Sequence, residues 1–255
     1  MLALVLTAAL LAAPQDAGPP PDEKKVEATV KDLKSAFSQS KEEEKLASIQ
    51  RATDVLHPDV IKALAAGFRE KEHEVQKATI EALRWMDHPK ALDELHSAFK
   101  RDKDVAKDQE LNAATLKAIG QHASKLSIDV LAGDPFKNPS HAAIEARILG
   151  LGRIRDADSV RELMAMMQKV GRGKSAAYME HFRLSLMVLT GADNGKSREM
   201  WVKWWNDNKR SFKVGKKAPE LPPKMQKRWD YYWGLEHVEG RAKKREDRGD
   251  DGERD

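Results

Sequence analysis

The chain has 255 residues, 40% of them hydrophobic and 34% charged, with a formal net charge of +4 and no cysteine. Lack of cysteine excludes disulfides, thiol nucleophiles, cysteine-based metal sites and lipid attachment through sulfur. The net charge does not by itself suggest nucleic acid as a ligand; it is also uneven, because Lys196 to Arg228 hold eleven Lys or Arg against three acids, an excess of +8 that leaves the remainder slightly acidic.

Residues 1–13, MLALVLTAALLAA, form an uninterrupted apolar run that is followed by PQDAGPPPDEKK. A short apolar run ending in small residues before a Pro-rich polar stretch reads as a secretory signal peptide, here over residues 1–17, with a Pro-rich linker over 18–23. No Lys or Arg precedes the run. It falls short of the roughly 20 apolar residues a membrane span needs, and no second candidate follows. The expected product is secreted or periplasmic, with no membrane span after removal of the signal peptide.

Helical periodicity dominates from there on. Val26, Val30, Leu33 and Phe37 mark one buried stripe, and Leu46, Ile49, Ala52, Val55 and Leu56 mark the next. His57-Pro58 ends that second helix, since the residue before Pro disfavours helical backbone and Pro suits the first turn of a new helix. The scheme of helix, break and helix returns in VQKATIEALRWMDHPKALDELHSAFK, with its break at His88-Pro89, 31 residues after His57-Pro58. Further breaks fall near Gly120 to Ser124 and near Gly152 to Asp158. A period of roughly 30 to 35 residues with two helices per unit predicts a helical solenoid, in which each hairpin buries its apolar face against its neighbours. Without the period, the same helices would describe a plain bundle.

In the fourth unit, Ala146, Leu149, Gly150, Ile154, Val160, Leu163 and Met166 surround a short Asp-containing turn, a pattern that resembles HEAT repeats. The resemblance covers about Glu42 to Met167. It implies an all-α, right-handed α-α superhelix whose second helices form a concave face. A bilin-lyase type of HEAT repeat is enzymatic, but no tetrapyrrole site is marked here, and an enzyme of that kind rests on fold analogy alone.

The last unit differs. An apolar helix runs to Leu189-Thr190-Gly191, and the next helix carries Trp201, Trp204 and Trp205, whose spacing places three rings on one side. This is similar to the terminal element of exported bacterial HEAT-repeat proteins, in which an LTG turn precedes a W-x-x-W-W helix. The implied role is to cap the stack. The repeat domain therefore spans 24–212, followed by a basic Pro- and aromatic-rich extension over 213–240. The charged tail over 241–255 lacks large apolar residues and is expected to be disordered.

Eight histidines invite a metal reading, yet none has a ligand partner at the right spacing; Lys77 stands where a zinc-protease helix beginning at His73-Glu74 needs its second histidine. His57 and His88 suit turn-capping, and His122 occupies the equivalent break. Asp193-Asn194-Gly195-Lys196-Ser197 lacks the alternate carboxylates and closing Glu of a calcium loop and reads as a turn. Gly150-Leu151-Gly152 lacks the third glycine of a phosphate loop, and Arg248-Gly249-Asp250 belongs to a tail built of those residue types. Neither a strained Gly-x-Ser-x-Gly turn nor any other catalytic set is present. No catalytic residue, metal or cofactor is implied.

Five of the six tryptophans follow residue 200, interleaved with lysines. Aromatic faces beside cations bind polymers by stacking, so Lys203, Lys209, Arg210, Lys213, Lys217 and Trp229 form the candidate binding patch. Export disfavours nucleic acid and leaves an acidic envelope polymer or acidic protein as its match. The sequence thus describes a non-enzymatic protein-interaction scaffold of the cell envelope or exterior, with anion binding at the basic Trp-rich end as the alternative.

Overall fold

Local signals cut the chain into short helices, and the side chains at the cuts do the capping. The structure, a computed structural model, describes residues 22–39, 41–136, 140–169 and 172–235. The expected signal peptide, the linker up to residue 21 and the tail over 241–255 lie outside the described residues. Within them the protein is all-α, with thirteen helices and no strand: α1 (Glu23–Gln39), α2 (Glu42–Ala52), α3 (Pro58–Leu64), α4 (His73–Trp85), α5 (Pro89–Arg101), α6 (Lys103–Lys107), α7 (Gln109–Gln121), α8 (Ile128–Ala132), α9 (His141–Arg153), α10 (Ala157–Lys169), α11 (Arg172–Thr190), α12 (Arg198–Asn208) and α13 (Pro223–Trp233). Two short 3-10 segments extend α3 and introduce α8. Among the described residues no helix is long and apolar enough to cross a membrane.

At both His-Pro breaks the histidine is the N-cap and proline the first helical residue. His57 and His88 are extended, and Nδ1 of each accepts the backbone N–H two residues on, from Asp59 at 3.2 Å and Lys90 at 3.0 Å. These bonds satisfy donors that the helix leaves unpaired. Asp102 and Asp108 do the same for α6 and α7, each carboxylate accepting two backbone N–H groups. His122 differs. It follows α7, and its Nε2 meets the Leu83 carbonyl at 3.0 Å, tying α7 to α4 instead of capping a helix.

The helices pack in chain order. The first helices of successive hairpins lie side by side, α2 on α4, α4 on α7, α7 on α9 and α9 on α11; on the other side α3 meets α5, α8 meets α10 and α10 meets α12. Helices α4, α7 and α9 are each thirteen residues long. The fourth residue of α4 and of α7 is a buried amide that donates backwards, Gln76 to the Phe68 carbonyl and Asn112 to the Val105 carbonyl; the seventh is a buried Thr bonded to its own helix, Thr79 to Val75 and Thr115 to Leu111. Interior glycines mark the closest approaches. A Cβ on Gly120 would lie 2.8 Å from the Gly150 Cα, and one on Gly152 would lie 2.6 Å from Ser185 Oγ. Gly150-Leu151-Gly152 is thus a packing surface.

Most apolar positions of the predicted stripes are buried in one core that runs from Val26 to Trp201. Leu56 is an exception at 44% exposure: α2 stops at Ala52, so the helical period that would bury Leu56 does not reach it. At the LTG turn α11 ends on Thr190, and Gly191 takes a left-handed φ of 75° while its N–H bonds the Met187 carbonyl at 2.9 Å. Glycine at this position avoids the Cβ penalty of that conformation. Asp193 accepts the Gly195 N–H and a two-point bond from Arg183, so Asp193 to Ser197 is a turn held from α11. Trp201 is fully buried and donates Nε1–H to the Gly195 carbonyl at 3.0 Å, while Trp204 and Trp205 are half-buried around Phe212.

Candidate functional site

The six residues of the expected patch divide. Lys203 lies on α12, Lys209 and Arg210 at its end, and Lys213 and Lys217 in the linker beyond; all five are exposed, and none forms an ion pair among the described residues. Lys209 Nζ donates to Asn206 Oδ1 at 3.0 Å. The linker is tethered by Arg155, which donates to the Gly215 and Lys217 carbonyls and to the Val188 carbonyl at the end of α11. Trp229 does not join this surface. It is 6% exposed, packed with Trp233 against Leu149, Leu184 and Val188, because its indole has an apolar bed on α9 and α11.

That burial leads to the most distinctive feature of the molecule. Beyond the linker, α13 reaches back over α11, α9, α7 and α4. Pro223 starts α13, and Gly234, with φ of 70°, stops it. The Trp233 carbonyl at its C-terminal end accepts Arg84 Nη2 at 2.8 Å, across 149 residues of sequence. Arg84 is 8% exposed and its other terminal nitrogen pairs with Glu81 at 3.1 Å. Lys117 Nζ lies 4.5 Å over the Tyr232 ring, and the Arg153 guanidinium 4.9 Å from the Trp233 ring centre. Gly120 makes the space: a Cβ there would stand 3.0 Å from the Trp233 ring. Three cations from three successive hairpins thus surround the end of α13 that carries the negative pole of the helix dipole. For Lys117 and Arg153, aromatic faces take the place of carboxylates. Towards the other end, Arg228 approaches Glu180 of α11 at 3.7 Å, and Lys196 pairs with the same carboxylate at 2.6 Å.

The electrostatics of this face follow from its burial. Desolvation lowers the Lys117 pKa, and the charge of Arg84 nearby lowers it further. Arg153 is lowered to about 10 by burial and by Arg84, and so stays charged at neutral pH. Burial raises the Tyr232 pKa. Beside α13, His181 is brought down to about 4 by burial, by Arg228 and by His141. Glu145 Oε1 stands 3.3 Å from His181 Nδ1 outside hydrogen-bonding geometry, so burial dominates. Four buried nitrogens around α13 have no hydrogen-bond partner: Arg84 Nε, Arg153 Nε, His181 Nδ1 and Trp233 Nε1. Among the described residues no group of three or more His, Asp or Glu is placed to hold a metal ion.

A cleft of about 600 Å³ opens between α1 and α3. Its floor of Val26, Val30, Phe37 and Ala63 has a rim of Glu27, Lys34, Asp59 and Lys62. The balanced charge offers little beyond apolar burial.

Sequence reading treats charged residues inside Ala- and Leu-rich helices as solvated, and it therefore misses Arg84, Lys117, Arg153, Glu180 and His181. The usable signal is small: a basic residue beside Leu or Gly in IEALRW, ATLKAIG and LGLGR. Compared with known proteins, the chain matches no family model and no curated protein.

Proposed function

We propose that the chain is a non-enzymatic protein-interaction scaffold of the cell envelope or exterior, built as a HEAT-like α-α superhelix. Chain-order packing and the recurring amide and Thr positions of α4 and α7 support the repeat reading. The observation that carries the function is the seating of α13, because a row of helix faces that holds an amphipathic helix by an aromatic pair and a cationic clamp has the chemistry of helix-in-groove recognition. It also moves the expected binding surface. The HEAT resemblance implies the second helices, whereas α13 rests on the first helices α4, α7, α9 and α11.

The test is capture from envelope extract by the full secreted chain, by Arg84→Glu, and by a variant with Lys203, Lys209, Arg210, Lys213 and Lys217 changed to Glu. The scaffold reading expects a saturable protein partner whose binding changes with Arg84→Glu and responds little to salt. Hydrolase or lyase turnover abolished by one point substitution would contradict it. The second reading, an acidic polymer or protein bound by the five exposed cations, expects affinity that falls steeply with ionic strength through counterion release and is lost in the five-site variant. Its supporting observation is that these side chains project to solvent without a carboxylate among the described residues.

A further inference from the structure

We propose that α13 is a displaceable ligand held in cis. The α4–α7–α9–α11 face is a docking site for an amphipathic helix with two large aromatic residues four positions apart, the second at the helix end, and a basic residue in its preceding turn. In the resting protein α13 fills that site through Trp229, Trp233 and Arg228; a partner helix of the same pattern replaces it. The inference rests on the scaffold reading and adds its partner and its regulation.

Sealing the stack does not account for α13. A terminal cap covers the last hairpin, and that apolar end already holds the fully buried Trp201 on α12. α13 starts on α11 of that hairpin but runs on across α9 and α7, and its end is gripped by Arg84 of α4, far from the C-terminal hairpin. The grip is also more than apolar contact. Arg84 takes a free carbonyl at a helix C-terminus, Gly120 leaves a slot for an indole, and Lys117 and Arg153 lie against ring faces. All but the Lys117 contact, which falls on Tyr232, read a property that any helix of this pattern carries. At the same time the fit is incomplete, since Trp233 Nε1, Arg84 Nε and Arg153 Nε are buried without partners. A buried donor left unpaired is costly, so a partner helix that offers acceptors there binds better than α13 itself. The linker from Lys209 to Pro222 is the tether; Phe212, Val214 and Leu221 pack against the core, and Arg155 holds its backbone at Gly215 and Lys217. A short tether supplies an effective concentration on the order of millimolar, which keeps the site filled in the absence of a competitor.

A protease recognition sequence inserted between Lys216 and Lys217 of the full chain makes the test direct. The probe is a fluorescent peptide of residues 219–235 at about 10 µM, followed by anisotropy before and after cleavage. With the chain, and so the released fragment, also at about 10 µM, a tether worth about 1 mM predicts apparent binding roughly 100-fold tighter for the cleaved chain than for the intact one. A Trp233→Ala peptide, or an Arg84→Ala chain that is cleaved, should bind at least about tenfold more weakly, the scale of one hot-spot contact. Three results overturn the proposal: the cleaved chain keeps its fragment without exchange, cleavage abolishes cooperative melting of the rest, or the Trp233→Ala peptide exchanges as well as the native one. Failure here with a protein partner still captured, with little response to salt and undiminished in the five-site variant, would sink the cis-ligand inference and leave the scaffold reading standing. Peptide exchange without any captured partner would do the reverse.

Discussion

At Gly120 a single missing methyl group decides how two helices and a tryptophan meet. Its absent Cβ would be 2.8 Å from the Gly150 backbone and 3.0 Å from Trp233. Backbone on one side leaves no direction of relief, so Gly120→Ala should destabilise by about 1–3 kcal/mol, the usual cost of overpacking. A lower urea midpoint checks this; an unchanged or higher midpoint would mean that α7 and α9 do not approach as described. Ala123 presents the opposite case. It is exposed, with φ of 49°, and Ala123→Gly should raise stability by a few tenths to about 1 kcal/mol by removing the left-handed penalty.

His181 supplies the pH dependence at this scale. In the folded protein it stays neutral down to about pH 4, while in the unfolded chain it takes up its proton near the ordinary histidine value of 6.5. Between those values the unfolded state binds more protons, so stability is complete above pH 6.5 and falls as the pH drops towards 4. The loss attributable to this group reaches about 3 kcal/mol at most. Comparing urea midpoints of the native chain and His181→Asn at pH 7 and pH 4.5 isolates it from the carboxylates. The variant should lose less stability over that interval; equal losses would contradict a buried, neutral His181.

At the scale of elements, helix ends were legible and helix partners were not. His57-Pro58 and His88-Pro89 announce their role because cap, proline and bonded N–H all lie within three residues. His122 sits at a break of the same period, yet its ring reaches Leu83 in another helix, and nothing adjacent in sequence signals that contact. Leu56 looked like the last residue of a stripe because its spacing is right, but the capping turn ends α2 first. Arg84 has no local sign of its role either: its partner is the Trp233 carbonyl, 149 residues away. The cap histidines make a clean prediction. His57→Ala and His88→Ala should each cost about 1 kcal/mol, the common value for an N-cap. Chemical denaturation of the two single variants measures it, and no loss in either would remove the capping role.

For the molecule as a whole, the sequence made the all-α class and the order of hairpins readable through the helical period and the breaks. It leaves the seat of the aromatic extension open, because amphipathicity shows that α13 must bury one face but not which surface receives it. The consequence is a protein with two distinct surfaces: exposed cations on α12 and its linker, and an aromatic-cationic face on α4, α7, α9 and α11 covered by the chain's own last described helix.

The central claim is that α13 is a helix docked on a stack that stands without it. Hydrogen exchange by mass spectrometry on the full chain tests this most directly, since docked and core helices open with different free energies. The account predicts that amides of residues 225–233 exchange faster than those of α7 and α9, and that Arg84→Ala speeds exchange in α13 alone. Exchange of α13 in step with α7 and α9, with all three accelerated by Arg84→Ala, would contradict it.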